Sequence, residues 1–491
     1  MLVQQQASRL QQQRCRSVFS SPVISRSTPR ALAVRVRATA TVDRPAASAA
    51  PEAVPAEKPK GYKDAILIQS FGWDSCQKKN WYKTIQSKLD DIKALTATHV
   101  WLPPPSQSVS DQGYMPGQLY NLSSKYGNKQ DLQELVAAIN EKGMFPVADI
   151  VINHRCADEM TDGKWNKFRD DVSHDGHKID WGKWAITGND PVFGGSGNPD
   201  TGDDYGPAPD LDHANPELRE ALKHWLQHLQ QDIGFRGWRL DFVRGYGARF
   251  VDEYISATVG DDMFNVGEYW TDLAWNGSEL EACQDSARQR LCDWIDGNKK
   301  TCTAFDFPTK GILQEAVKRQ QYWRLKDKDG KPPGLIGWWP SKAVTFIDNH
   351  DTGSTQQHWP FPNVRVVAQQ HWPFPNDLVG AGYAYIMTHP GIPCVFWDHY
   401  VTWGAELHNT IKTLAAIRRR NGIVADSKVK ILAAEADLYV AEVGCTVMLK
   451  MGARYDMGSL VPKEADGWKV ATWGKDFCVW EKNPPAVAAA K

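Results

Sequence analysis

Nowhere does the chain run for about 18 consecutive apolar residues, the least a membrane-spanning helix needs, which excludes such a span. An excess of positive charge is also missing. Lys+Arg is 57 and Asp+Glu is 58 in 491 residues, a net charge of −1, so there is no basic footprint for nucleic acid. Cysteine is sparse and unpatterned: nine residues, with no Cys-X-X-Cys pair and no zinc spacing. What remains is ordinary globular composition, 42% hydrophobic and 23% charged, which excludes a disordered chain. At roughly 150 residues per domain the length predicts about three domains, although one barrel can use roughly 250 or more. The 21 Trp stand out. They fill a core or line a binding surface, and composition alone leaves both open.

Residues 1–42 hold no Asp or Glu and seven Arg (Arg9, Arg14, Arg16, Arg26, Arg30, Arg35, Arg37). The unbroken apolar core of a secretory signal is absent there. An acid-free leader rich in Arg and Ser predicts an organelle transit peptide over 1–42. The run Val34-Arg35-Val36-Arg37-Ala38 resembles the cleavage region of plastid transit peptides, which predicts the chloroplast stroma. A basic disordered tail is the alternative. Residues 43–61, with Pro45, Pro51, Pro55 and Pro59 among Ala and Glu, predict a disordered linker. Without the leader, 50 basic residues face 58 acidic ones, a net charge of −8. That suits a neutral substrate or a cation. Cys394, Cys445 and Cys478 fall in apolar runs and are expected to be buried and inert. Cys156 is the thiol to watch for redox control, with a bystander as the plainer expectation.

Short apolar runs recur at 65–71, 98–103, 145–151, 237–242, 264–270, 303–308, 343–349 and 392–398, eight in all. Amphipathic stretches lie between them, such as 130–142, closed by Gly143, and 216–232, opened by Asn215-Pro216. This α/β alternation predicts a (β/α)8 barrel over 62–421. A doubly wound sheet has the same alternation, so periodicity leaves that choice open. The stretch 153–213, rich in Asp, Gly and Asn, is too long for an ordinary loop and predicts an inserted subdomain. Short strands after the helix ending near Arg420 predict an antiparallel β domain at 422–482, followed by a tail at 483–491.

In a barrel, polar groups at the C-terminal strand ends face the active site. The third run ends Asp149…Asn153-His154, the fourth Arg239-Leu240-Asp241, the fifth Gly267-Glu268 and the seventh Asp348-Asn349-His350-Asp351. Converging carboxylates raise one another's pKa. Such a cluster persists where a cation or a catalytic task compensates. Arg239 and Asp241 share one side of their strand, so the guanidinium keeps Asp241 ionised. Glu268 has apolar and aromatic neighbours that favour its protonated form. One charged and one protonated carboxyl is the division that glycoside hydrolysis needs. Each acid alone would more often be an ion-pair or cap residue.

The segments 149–155 (DIVINHR), 237–246 (GWRLDFVRGY), 266–270 (VGEYW) and 346–351 (FIDNHD) resemble, in order and spacing, four signature regions of the glycoside hydrolase family that contains α-amylase. The likeness to plant members covers about 62–482. It implies a (β/α)8 barrel with a calcium-binding insertion after strand three and a C-terminal β domain. It implies Asp241 as nucleophile, Glu268 as acid/base and Asp351 as transition-state stabiliser, with His154 and His350 on sugar hydroxyls and Arg239 orienting Asp241. The substrates implied are starch and maltooligosaccharides, acted on by a monomer. Calcium is implied at Asn153, Asp200 and Asp210 with main-chain oxygens of Asp203 and Gly245. A second site is implied at Asp190, Asp204 and Asp210 with carbonyls of Tyr205 and Ala208. The loop 168–181 departs from the family's third site, which is not carried over. Trp338-Trp339 resembles a surface starch platform, and Tyr455 matches a second, weaker sugar contact. Without the resemblance, a polar loop and core packing are the plainer readings of these segments.

One feature departs from the family. QQHWPFPN occurs twice, at 356–363 and 369–376. A gene-model or splice-boundary error is the plainest explanation, and a real insertion would lengthen the loop beside Asp351. Two other readings stay open: a glucan-transferring enzyme of the same family, and a non-catalytic starch-binding protein.

Overall fold

A computed structural model describes residues 61–173, 175–353 and 372–483. The expectations for the leader, for the linker up to residue 60, for the tail from 484 and for the first QQHWPFPN copy lie outside these residues, and the second copy is described only from Trp372.

Eight parallel strands close into a barrel: β1 (Leu67–Gln69), β2 (His99–Leu102), β3 (Phe145–Ile150), β4 (Trp238–Leu240), β5 (Asn265–Gly267), β6 (Thr303–Phe305), β7 (Ala343–Phe346) and β8 (Ile392–Phe396). Each pairs with its sequence neighbours. Leu67 stands opposite His99 on one side and Cys394 on the other, which closes the ring. All eight apolar runs form strands, and the closed ring settles the choice in favour of the barrel. Almost every strand residue is buried, because helices cover the outside and side chains fill the inside.

Local chemistry sets the helix limits. Asn128 caps helix Lys129–Glu141 by accepting from the Asp131 amide at 2.9 Å. Asn215 caps helix Pro216–His228 in the same way, with Pro216 in its first turn. That helix was expected to reach 232. Its α part stops at His228, and one wider turn, Leu229–Ile233, carries it to Gly234.

The connection from β3 to β4 carries a small hairpin, Glu159–Thr161 with Lys164–Lys167. Buried Arg155, which precedes the hairpin, holds the connection together, donating to the Gly117 and Ile179 carbonyls at 2.7 and 2.8 Å and pairing with Asp170 at 3.2 Å.

Five antiparallel strands follow the barrel: β9 (Val429–Ala434), β10 (Tyr439–Val443), β11 (Val447–Met451), β12 (Trp468–Gly474) and β13 (Phe477–Lys482), in spatial order β9-β10-β11-β13-β12. Arg420 at the end of the last barrel helix ties this sheet on, its Nε 2.6 Å from Glu481.

Two cysteine expectations change here. Cys394 is buried in β8, but Cys445 is exposed and Cys478 half-buried. Strand β11 begins only at Val447, and Cys445 sits in the preceding turn at φ +61°. Cys156 is buried against Met115 and Ala208.

Candidate active site and cation site

The strand ends at the mouth of the barrel bring four carboxyls around one guanidinium. Arg239, inside β4 and 1% exposed, places Nη1 2.6 Å from Asp241 and 2.8 Å from Asp149, and Nη2 2.8 Å from Glu268. Its plane also lies over the rings of Trp101 and Tyr114, at 5.1 and 5.6 Å. Asp149 is fixed from its other side by Trp101 Nε1 at 3.0 Å and the Tyr114 hydroxyl at 2.8 Å. Arg239 was expected to orient Asp241 alone. Its reach to Asp149 and Glu268 was not foreseen.

The backbone turns sharply after Asp241. Phe242 adopts φ +42°, a left-handed conformation that a bulky side chain rarely takes. Strain of about 1–3 kcal/mol at such a residue is typical of functional sites. Here the turn points the Phe242 amide at Glu268 Oε2, 3.3 Å away. Asp351 follows β7, and its own amide donates to Asn349 Oδ1 at 3.0 Å. Its carboxyl lies 3.2 Å from His350 Nε2 and shares a hydrogen bond with Glu268.

These surroundings separate the acids. Burial pushes Glu268 well above the usual carboxylate range; Arg239 pulls it back, and Asp241 and Asp351 push it up again. Asp351 and Asp149 are raised for the same first reason, burial. Burial opposes the charge on Arg239, but Asp149, Glu268 and Asp241 outweigh it and hold the guanidinium firmly protonated. Asp348, also at the end of β7, does not join this group. It pairs with buried Lys310 at 3.2 Å and accepts from Thr352 and Phe374.

Both histidines, implied as sugar contacts, are also held by protein groups. His154 Nε2 donates to the Tyr114 carbonyl at 2.9 Å, Nδ1 lies 3.4 Å from Asn153, and the ring stacks on Tyr205 at 3.7 Å. Burial lowers it to about 4, so it is neutral. His350 lies between the Tyr114 and Trp73 rings, with Gln69 at Nδ1 and Asp351 at Nε2. Trp338 and Trp339 precede β7 and so sit at the opposite end of the barrel from the acids. Arg288 covers one face of Trp338 at 4.0 Å, and Lys300 lies 5.5 Å from Trp339. Tyr455, 96% exposed, stands beyond β11.

A second acid cluster lies in the insertion. Asp200, Asp204 and Asp210 each bring one oxygen within 4.8 Å of the others. Asn153 donates to Asp210 at 3.0 Å, which leaves its buried Oδ1 without a partner; Asp200 Oδ2 is buried and unpartnered too. A Cβ at Gly245 would fall 1.9 Å from Asn153 Oδ1, and one at Gly202 2.3 Å from the Gly245 carbonyl carbon. Only glycine lets these backbones close on the amide. Asp203 donates its amide to the Arg244 carbonyl at 3.0 Å, and its carboxyl pairs with Arg244 at 2.7 Å. Tyr205 donates its amide to Asp210, buried Ala208 lies beside it, and Asp190 caps the Val192 and Phe193 amides at 2.9 Å. The cluster thus joins Asp204 and Asp210 to Asp200, whereas the second implied site placed those two with Asp190. Burial, with Asp200 and Asp190, pushes Asp210 up to about 8. Hard oxygens, two of them orphaned, fit a calcium-like cation.

Gln69, Tyr114, Trp101 and Asp149 complete the mouth without having been assigned roles. A polar residue ending the apolar run AILIQ was a signal for Gln69.

Two family models match, an α-amylase catalytic domain at 66–281 and an α-amylase C-terminal β-sheet domain at 420–481. A probable α-amylase 2 of Arabidopsis thaliana is 44% identical over 85% of this chain and 94% of its own length. A chloroplastic α-amylase 3 of the same plant is 41% identical over 85% of this chain, which spans 44% of that longer relative. The fold matches an α-amylase from Geobacillus thermoleovorans complexed with acarbose, at TM-score 0.55 and 19% identity over 80% of this chain and 87% of that one. With signature segments, barrel and C-terminal sheet in agreement with these relatives, the chain belongs to the α-amylase family of glycoside hydrolases, in its plant-type group.

Proposed function

We propose that the chain hydrolyses internal α-1,4-glucosidic bonds of starch and maltooligosaccharides by two successive displacements. The observation that carries this is the shared guanidinium of Arg239. It holds Asp241 against a positive charge while burial keeps the adjacent Glu268 protonated. Asp241 attacks the anomeric carbon, and Glu268 gives its proton to the leaving glucosidic oxygen. Glu268, now ionised, takes a proton from water, which releases the sugar from Asp241 with configuration retained. Retention fits carboxyls about 5–5.5 Å apart, and two carboxyls on one guanidinium favour close spacing. Asp351 binds ring hydroxyls of the distorted sugar. His350 stands beside Asp351 at the sugar, while His154 and Tyr205 form a wall of the cleft.

Calcium, when bound, would supply fixed charge that locks the insertion onto the loop after β4. Asn153, Asp200, Asp204 and Asp210 would hold it with carbonyls of Asp203 and Gly245; Asp190, Tyr205 and Ala208 lie beside them. Trp338, Trp339 and Tyr455 offer exposed or half-exposed rings to a polymer away from the cleft. The acid-free leader and the chloroplastic relative support a plastid location.

The test is cleavage of a blocked maltoheptaoside by the chain from residue 43, with calcium and with chelator. Internal cleavage supports the reading. Transfer products in excess would favour a glucan-transferring enzyme, and starch binding without cleavage would overturn catalysis.

A further inference from the structure

Gln69 ends β1 at the mouth of the barrel and is fully buried. The residues before it, Ala65 to Ile68, are apolar core, so a primary amide there is costly, and only its nitrogen end is paired, Oε1 being buried without a partner. Its Nε2 lies 2.8 Å from His350 Nδ1. On the far side of the ring, His350 Nε2 lies 3.2 Å from Asp351 Oδ2. The ring cannot swing away: Tyr114 stacks on it at 5.0 Å, Trp73 lies parallel at 6.2 Å, and Trp101 meets it edge-on at 5.8 Å.

We infer that Gln69 is a positioning residue of the reaction: its amide N–H occupies His350 Nδ1, fixes the ring as the Nε2–H tautomer and aims the ring's one N–H at Asp351. Burial, helped by Arg239, holds this imidazole neutral, so it carries a single proton. An amide nitrogen only donates, so Nδ1 must accept and the proton must sit on Nε2. The opposite tautomer would need the amide turned over and a protonated Asp351 donating to Nε2. Gln69 selects between the two. The charged groups around the ring are Arg239 from β4, Asp351 beside it and Asp149 beyond Trp101. This inference rests on the role given to Asp351 above.

Two substitutions separate positioning from packing. Gln69→Leu removes the donor at every pH and should lower kcat on the order of tenfold throughout. Gln69→Glu keeps the shape. As a neutral acid it donates to Nδ1 as the amide does. Once ionised it demands a proton on Nδ1 instead. Its kcat should approach the native value at the acid end and fall on the order of tenfold as pH rises, in a limb the native profile lacks, with KM little changed. Equal, pH-independent losses in both variants would overturn the inference. So would native behaviour in both. Nitrogen NMR of the native chain with labelled histidine, His350 being assigned from His350→Asn, reads the tautomer without touching Gln69: a protonated Nε2 supports it and a protonated Nδ1 refutes it. Asp351→Asn separates the two failures. If that variant keeps full activity, the role of Asp351 fails. If it is inactive and Gln69→Glu lacks the new limb, only the inference fails.

Discussion

Two acid clusters lie in this molecule, and they solve the same electrostatic problem differently. At the barrel mouth, Asp149, Asp241, Glu268 and Asp351 surround Arg239, three of them within 2.8 Å of it. In the insertion, Asp200, Asp204 and Asp210 converge, and among the described residues no Lys or Arg pairs with them. The first cluster carries its own cation, and its one orphaned carboxyl oxygen, Glu268 Oε1, still lies 2.8 Å from that guanidinium. The second leaves Asn153 Oδ1 and Asp200 Oδ2 without partners. A guanidinium inside the first cluster compensates its charge, whereas the second cluster has no such internal cation among the described residues.

The sharpest break would come at the mouth. Asp241→Asn should lower kcat by about 10⁴-fold or more. Arg239→Met leaves the carboxyls uncompensated. It should cost about 3–5 kcal/mol of stability at neutral pH, measured by denaturant unfolding, with partial recovery in acid as the carboxyls protonate.

Glu268→Gln tests the price of the raised acid. Its kcat should fall about 10²–10⁴-fold. Because burial holds Glu268 above its ordinary value, the folded state keeps a proton that the unfolded chain has released. Stability therefore falls as pH rises from the ordinary carboxylate range toward the raised value. The variant should melt above the native protein at neutral pH, and the gap should close below that range.

In the insertion, calcium at 100 times its Kd should stabilise the chain by about 2.7 kcal/mol. A chelator should remove this, and Asp210→Asn should abolish the calcium-dependent shift in Tm while leaving the fold in chelator unchanged. An equal calcium shift in native and variant protein would erase the contrast between the clusters.

The smallest effect is expected beside the mouth. Trp372 N–H donates to the Thr352 carbonyl at 3.1 Å, Phe374 to Asp348, and Lys310 to the Trp372 carbonyl at 2.8 Å. These bonds pin the chain where it leaves and rejoins the barrel. Deleting 364–376 leaves one QQHWPFPN and should change stability by only about 0.5 kcal/mol, with activity retained.

The strands were legible because a barrel strand buried on both faces reads as a continuous apolar run. The acids were legible because each stands at the end of such a run. The partners of Arg239 were not. Asp149 is 90 residues away and Glu268 belongs to a third strand, so closure of the barrel, rather than local pattern, brings them together. His154 reads as a ligand in DIVINHR, yet Tyr114 and Tyr205, from two distant loops, enclose it. Cys445 lies in an apolar stretch, but one residue of turn geometry exposes it.

Asp241 and Glu268, as proposed, act as nucleophile and acid/base on one internal glucosidic bond. Proton NMR during the first minutes of cleavage of a blocked maltoheptaoside tests these roles most directly. The new reducing end should appear as the α-anomer and only later equilibrate to β. The β-anomer appearing first would mean a single displacement by water and would contradict them.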